Sequence, residues 1–262
     1  MSLGLIVNGT IARTKVAPGA DLVGYSGFSA TNYLSQPYNP DLDFGTGDFC
    51  VMGWMRQSII ASSQILDRGN ADRTSGNGRI TVLVNTSSSS GFQFFTRDNA
   101  GTGRSVSVGA LPAPNVWHFV CAVRVDGVQR LYVNGVEVGT PVANTADLSN
   151  TAANVYVGQA WDGTNSNNGS LALLRISATA PTAEQIAKIY EDEKLLFQDN
   201  AQATLYGTSD AVTALAHDPD TNLLHVGTSA GRSVFSGLRR INNTTTGVTT
   251  AISATNSVIG EQ

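Results

Sequence analysis

The sequence predicts a mainly β protein in two parts, a β-sandwich to about residue 180 followed by a helix and a small β unit. Three observations predict it. The stretch Trp117 to Val138 holds apolar runs broken by Asp126-Gly127 and Asn134-Gly135, dipeptides that tolerate the positive φ of type I′ hairpin turns. Short apolar segments bounded by turn residues recur at roughly ten-residue spacing as far as Ile176, the rhythm of a sandwich or barrel. At Ala180-Pro181 the pattern changes to helical spacing, and three short strand-like segments follow.

In chain order, Leu5 to Val7, Leu22 to Tyr25 and Asn32 to Leu34 read as short strands. In GTGDFCVMGWMR, Phe49, Val51, Gly53 and Met55 alternate with Cys50, Met52 and Trp54, so both faces are apolar and the strand is central. Ile65-Leu66 and Ile80 to Val84 flank a polar loop, Asp67 to Gly78; Phe92 to Thr96 and Ser105 to Val108 follow. Phe119 to Val125 is a second central strand, with Val120, Ala122 and Arg124 on one face and Phe119, Cys121, Val123 and Val125 on the other. Asn154 to Gly158 and Leu171 to Ile176 complete the sandwich around a second polar loop, AWDGTNSNNGS. Trp54 and Trp117 read as core residues.

Thr182 with Gln185 has the spacing of a capping box, and Ile186, Ile189, Tyr190, Leu196 and Phe197 recur at helical intervals. Continued to about Leu205, such a helix would be about 35 Å long at about 1.5 Å per residue, longer than a sandwich needs. The organisation expected is therefore a sandwich over 1–180, a connecting helix over 181–206 and a small β unit with tail over 207–262. In that last part Val212 to Ala216, Leu223 to Gly227 and Ser233 to Leu238 look like one β-propeller blade, too small to bury both faces alone. For the final twenty residues, extended, neighbour-exchanged and partly disordered states all stay open.

Charged residues make up 14% of the chain and the net charge is −4, which gives no electrostatic case for nucleic acid or an anionic membrane. No apolar run approaches the ~20 residues of a membrane-spanning helix, so no membrane insertion is expected. The N-terminus lacks the basic start and apolar core of a secretory signal, so folding in the cytosol is expected. In a reducing compartment Cys50 and Cys121 read as buried free thiols.

The segments DFCVMGWMR, WHFVCAVRVDGVQRLYVNGVEV, NVYVGQ and SLALLRISATAPTAEQIAKIYED resemble, in order, the laminin G-like and pentraxin branch of the concanavalin A-like lectin/glucanase superfamily. The resemblance covers roughly residues 30 to 193 and implies a jelly-roll sandwich that serves lectins, glycosidases and assembly modules alike. Pentraxin-like members bind calcium on loops at one sheet face. The counterpart of one such loop is GQAWDG, with Gln159 and Asp162; the other offers Asp67, Asn70, Asp72 and Asn77. Calcium takes six to eight oxygens. A weak site built from Asp67, Asp72, Asn77 and Asp162 and an empty polar loop are both open readings.

Trp161, among Gln159, Asp162, Asn165 and Asn167, could stack a sugar ring while the amides read its hydroxyls; the other reading packs Trp161 at the sandwich rim. Glycosidase chemistry needs two flanking carboxylates. Residues 1–136 contain no Glu, Glu137 sits beside a hairpin turn, and Glu184, Glu191 and Glu193 fall in the helix, so no strand carries a pair. His118 reads as a local hydrogen-bonding residue, and His217 with His225 as a structural pair on neighbouring strands.

The helix-and-blade extension is similar to C-terminal parts of bacteriophage tail and head-decorating proteins. That resemblance implies a non-enzymatic virion component made in the bacterial cytoplasm, contacting other virion proteins and host-surface glycan. The overlong helix and the blade that cannot stand alone point to a homo-oligomer, a trimer first, with a monomer whose helix and blade fold back on the sandwich as the other reading. A stand-alone carbohydrate-binding lectin-like module and a glycoside hydrolase are the alternatives.

Overall fold

The computed structural model of the protein describes residues 5–70, 77–86, 90–202, 212–237, 239–248, 252–255 and 258–261. Fourteen strands precede the helix: β1 (Ile6–Asn8), β2 (Ala12–Lys15), β3 (Val23–Ser26), β4 (Tyr33–Gln36), β5 (Phe49–Gln57), β6 (Ser63–Gly69) and β7 (Arg79–Asn85); then β8 (Gly91–Arg97), β9 (Gly103–Ser107), β10 (His118–Val125), β11 (Val128–Val133), β12 (Val136–Ala143), β13 (Asn154–Val157) and β14 (Gly169–Ser177). They form two seven-stranded sheets. The first has the order β1-β4-β13-β6-β7-β8-β9 and the second β12-β11-β10-β5-β14-β3-β2. The mainly β sandwich expected from the sequence is what the chain adopts. The strand the sequence does not reveal is β2, an Ala-Arg-Thr-Lys edge strand exposed throughout, which has no apolar alternation to betray it.

Both predicted hairpins form. Asp126-Gly127 and Asn134-Gly135 all take positive φ, and Val125 pairs with Val128 and Val133 with Val136 across the two turns. The two central strands β5 and β10 pair along seven residues and are apolar on both faces. On the inner face Val51, Met55, Val120 and Ala122 meet Leu66, Val82 and Phe94 of the first sheet. The outer face carries Cys50, Met52, Trp54, Phe119 and Cys121, all buried.

What buries the outer face is helix α1 (Ala183–Glu193). Thr182 and Gln185 close both halves of the capping box: the Thr182 N–H donates to Gln185 Oε1 at 2.8 Å and the Gln185 N–H to Thr182 Oγ1 at 3.3 Å. From this start Ile186 is fully buried and the Tyr190 ring stacks on Trp54 with centroids 5.7 Å apart. Gly135 lets the helix approach, because a Cβ there would come within 3.2 Å of Ala187 and Tyr190. Trp54 is thus buried beneath the helix and not between the sheets. Trp117, just before β10, is half-buried, and a Cβ added to Gly24 would lie 3.1 Å from its ring. Both cysteines are free and buried; burial pushes the Cys50 thiol up to about 11 and raises Cys121 as well.

Arg124 alternates inward with Val120 and Ala122 and is 0% exposed. Its guanidinium lies 5.1 Å from the centroid of the Phe49 ring. It donates to the carbonyls of Gly45 (2.7 Å) and Ala146 (2.9 Å) and, through Nε, to Gly47 (2.8 Å), tying two loops to one end of the second sheet. A charge can be buried there because its donors are met by backbone acceptors.

By its contacts the chain divides into two compact units: residues up to Thr14 with Gly24–Glu191, and Lys15–Val23 with the described residues from Asp192 onward. In the second unit, β15 (Val212–Asp218), β16 (Leu223–Thr228), β17 (Gly231–Ser236) and β18 (Arg239–Thr244) form one antiparallel sheet in sequence order. β19 (Ile252–Thr255) and β20 (Val258–Glu261) form a hairpin. The fourth strand of the sheet escapes sequence reading because Arg-Arg-Ile-Asn-Asn-Thr is polar, and Leu238 lies outside the described residues.

The long helix does not form. α1 ends at Glu193, a single 3-10 turn covers Lys194–Phe197, and Gln198 is already extended; Leu205 lies outside the described residues. The chain is instead captured by the segment after β2: the Asn200 N–H donates to Pro18 O (2.7 Å), the Asp21 N–H to Ala201 O (2.8 Å), and Ala201 bridges Arg239. His217 and His225 do not form a pair. Register sets His225 opposite Ala216 and His217 opposite Leu224, so the rings lie on opposite faces, and His217 Nε2 meets Asn222 Oδ1 at 3.0 Å.

Arg124→Met, which keeps bulk but takes the donor from three loop carbonyls, should lower stability by about 2–4 kcal/mol in urea denaturation. An unchanged midpoint would show that those loops do not depend on the guanidinium.

Candidate functional site

With α1 on the outer face of the second sheet, the sheet face the helix leaves is the outer face of the first. Its centre is roofed by the loop between β13 and β14, residues 158–168. Gly158 starts the loop at φ 83°, and a Cβ there would fall 2.0 Å from the Phe28 ring, so only glycine fits. The loop then folds back along β6: the Asn167 N–H donates to Gly158 O (2.7 Å) and the Gln64 N–H to Asn165 O (2.8 Å). Asn167 is 2% exposed; its Nδ2 donates to Gln64 O at 3.1 Å and its Oδ1 accepts the Gly169 N–H at 2.9 Å.

Asp67 fastens this loop to the sheet. It is 0% exposed although it points away from the core. Oδ1 accepts Arg79 Nε (2.8 Å) and the Thr81 hydroxyl (3.1 Å), and Oδ2 accepts an Arg79 terminal nitrogen (2.6 Å) and the Trp161 backbone N–H (3.1 Å). Arg79 supplies the countercharge and lies across Gly69, whose missing side chain leaves room for the arginine stem 3.2 Å from where a Cβ would stand. The pair is bidentate, the strong geometry for arginine and carboxylate.

The structure sorts the sequence candidates into two groups. Trp161 is half-buried in the loop, and Asp162 and Asn165 are exposed near it in sequence. Asp162 Oδ1 accepts the Thr164 N–H at 3.1 Å, and Asn165 sits at φ 50° in the turn. Gln159 and Asn167 are buried, 3% and 2% exposed, and Asn167 is bonded into the loop's own scaffold. Their burial removes them from the ligand-facing set.

The four residues of the calcium reading do not present one set of free oxygens. Both Asp67 oxygens are committed to Arg79, Thr81 and Trp161, and its charge is already balanced. Asn77 Oδ1 faces Asn70 Nδ2 at 3.5 Å, Asp162 caps its own turn, and Asp72 lies outside the described residues. Among the described residues no group of three or more His, Cys, Asp or Glu is placed to hold a metal ion. The donors among the described residues do not by themselves fit calcium, whose sites gather several carboxylate oxygens.

His118 behaves as a local residue: Nδ1 lies 3.5 Å from Asn134 Nδ2, the ring meets Phe92 edge-on, and burial lowers its pKa. Sequence reading misses Arg79, Tyr33 and Tyr156. The tyrosines, half-buried on β4 and β13, have ring centroids 6.0 Å apart on the open side of the loop.

The described fold is a two-sheet sandwich with helix α1 packed on one sheet and the β13–β14 loop pinned across the other. The family described as the concanavalin A-like lectin/glucanases superfamily, of laminin G type, matches residues 28–187, and the chain belongs to it. No match is found among curated proteins. The chain is similar to domain 4 of AbnA, an extracellular arabinanase from Geobacillus stearothermophilus solved with arabinotriose, at 16% identity and TM-score 0.57, over 71% of this chain and 87% of that one. It is also similar to the binding domain of Paraclostridial Mosquitocidal Protein 1 (12% identity, TM-score 0.57, 91% of this chain and 62% of that one). A third likeness is to the binding domain of Botulinum Neurotoxin DC in complex with SialylT (13%, TM-score 0.55, 89% and 57%). At these identities the likenesses establish the fold.

Asp67→Asn keeps the shape and removes the charge that balances Arg79. It should cost about 3 kcal/mol in chemical denaturation and shift the Trp161 fluorescence as the loop loosens; a wild-type denaturation curve would mean the ion pair is not what holds the loop.

Proposed function

We propose that the sandwich is a non-catalytic glycan-binding module whose platform is Trp161, with Asp162 and Asn165 beside it. The observation that carries this reading is the pinning of the Trp161 backbone by the buried Asp67–Arg79 pair. An aromatic side chain on a preorganised loop loses little freedom when a sugar stacks on it, and that saving appears as affinity. Glycan complexes of the similar arabinanase domain and toxin binding domain support the class of ligand. Hydrolysis fits the residues poorly: Asp67 is buried and neutralised, and Glu137 is engaged by Arg130 at 2.7 Å.

The module is further proposed to work as part of a homo-oligomeric virion surface component, on a phage tail or capsid, made in the bacterial cytoplasm and contacting other virion proteins. Its support is the C-terminal sheet, which leaves Val212, Leu215 and Ile241 exposed, Leu215 by 63%. A sheet this small gains from burying such residues against copies of itself.

On a glycan array the intact protein should bind at least one glycan and Trp161→Ala should lose that binding; an intact protein that binds none would sink the reading. Light scattering of the full chain should give a multiple of the single-chain mass, three being expected, and a single-chain mass would remove the assembly half of the proposal.

A further inference from the structure

We propose that the binding surface continues from the Trp161 loop across β13 and β4, with Tyr156 and Tyr33 as further aromatic subsites, and that the ligand is a neutral linear oligosaccharide lying across the strands. This rests on the glycan-binding reading and adds the subsite, the ligand's charge and its minimum length.

Register places Ser35, Tyr156, Asp67, Thr81, Phe95 and Ser105 in one line across the first sheet, all facing away from the core. The middle of that line, Asp67 and Thr81, is buried under the loop. On the β13 and β4 side the cover stops, and Tyr156 and Ser35 are half-buried with Tyr33 one step along. The loop therefore ends as a step beside an open strip. Trp161 belongs to the step and the tyrosines to the strip.

The strip is built to hold its shape. The Tyr33 and Tyr156 rings are tilted 43° to one another at 6.0 Å. Asn154 Nδ2 donates to the Tyr156 hydroxyl oxygen at 3.3 Å, and Asn8 Nδ2 to Ser35 Oγ at 2.9 Å. Its polar groups are thus two phenols, two amides and one hydroxyl, and none carries a formal charge. The nearest charges on the line, Asp67 and Arg79, cancel within their own ion pair. Aromatic faces beside uncharged donors and acceptors suit the C–H faces and hydroxyls of neutral sugars. Among the described residues the strip offers no cation of its own for a carboxylated or phosphorylated sugar to pair with. From β6, where the loop is anchored, to β4 is two strand spacings, about 10 Å, more than one sugar ring covers.

The test is a panel of neutral trisaccharides (arabinotriose, xylotriose, cellotriose, maltotriose and chitotriose), the matching monosaccharides and sialyllactose, titrated calorimetrically against the full chain. At least one trisaccharide should bind, at least tenfold tighter than its monosaccharide and than sialyllactose. Tyr156→Ala should weaken that trisaccharide about tenfold and bring it toward the monosaccharide, while Tyr156→Phe, which keeps the ring, should stay within about threefold. Thermal melting checks folding, and Tyr33→Ala on the neighbouring strand stands in if Tyr156→Ala is unfolded. Binding confined to acidic glycans, or a trisaccharide affinity indifferent to both tyrosines, would overturn this inference and leave the glycan-binding reading intact. No binding to any glycan, on the panel or the array, overturns both.

Discussion

A strand that is apolar on both faces has to be covered twice. That requirement, imposed by β5 and β10 at the middle of the second sheet, arranges the sandwich. Their inner faces are met by the first sheet and their outer faces by α1, through Ile186 and through Tyr190 on Trp54. The helix thereby uses up one of the two broad surfaces a sandwich can offer. The sheet face the helix does not take is that of the first sheet, where outward side chains are covered at the centre by the β13–β14 loop and half-buried on β13 and β4.

On that face one polar group dominates. A carboxylate withdrawn from water must be compensated, and Asp67 receives a bidentate arginine, a hydroxyl and a backbone amide. The same four contacts decide two questions together: they spend the oxygens a cation would need, and they fix the loop that carries Trp161. A residue that reads from sequence as a metal ligand thus becomes, in the fold, the fastening of the loop that carries Trp161.

The sequence announces what is local. Asp-Gly and Asn-Gly declare their hairpins through the φ they permit, Thr182 and Gln185 declare a helix start, and two-sided apolar strands declare the centre of a sheet. It is silent where meaning depends on register or sheet order. Asp67 and Arg79 meet because β6 and β7 pair as they do, and Tyr33 meets Tyr156 because β4 lies beside β13, more than a hundred positions along the chain. Polar edge strands such as β2 and β18 carry no alternation to read. The helix looked longer than it is because Leu196 and Phe197 keep the periodicity while the backbone has already tightened and been drawn away by Pro18.

The second unit takes Lys15–Val23 from near the start of the chain and the rest from near its end. During synthesis, then, the crossing between β2 and β3 must wait, exposed, until Asn200 and Ala201 have left the ribosome. Such closures are slow because the intervening chain has to be brought together before any contact rewards it. The crossing between β2 and β3 is therefore closed by residues far along the chain, and its contacts are long-range ones.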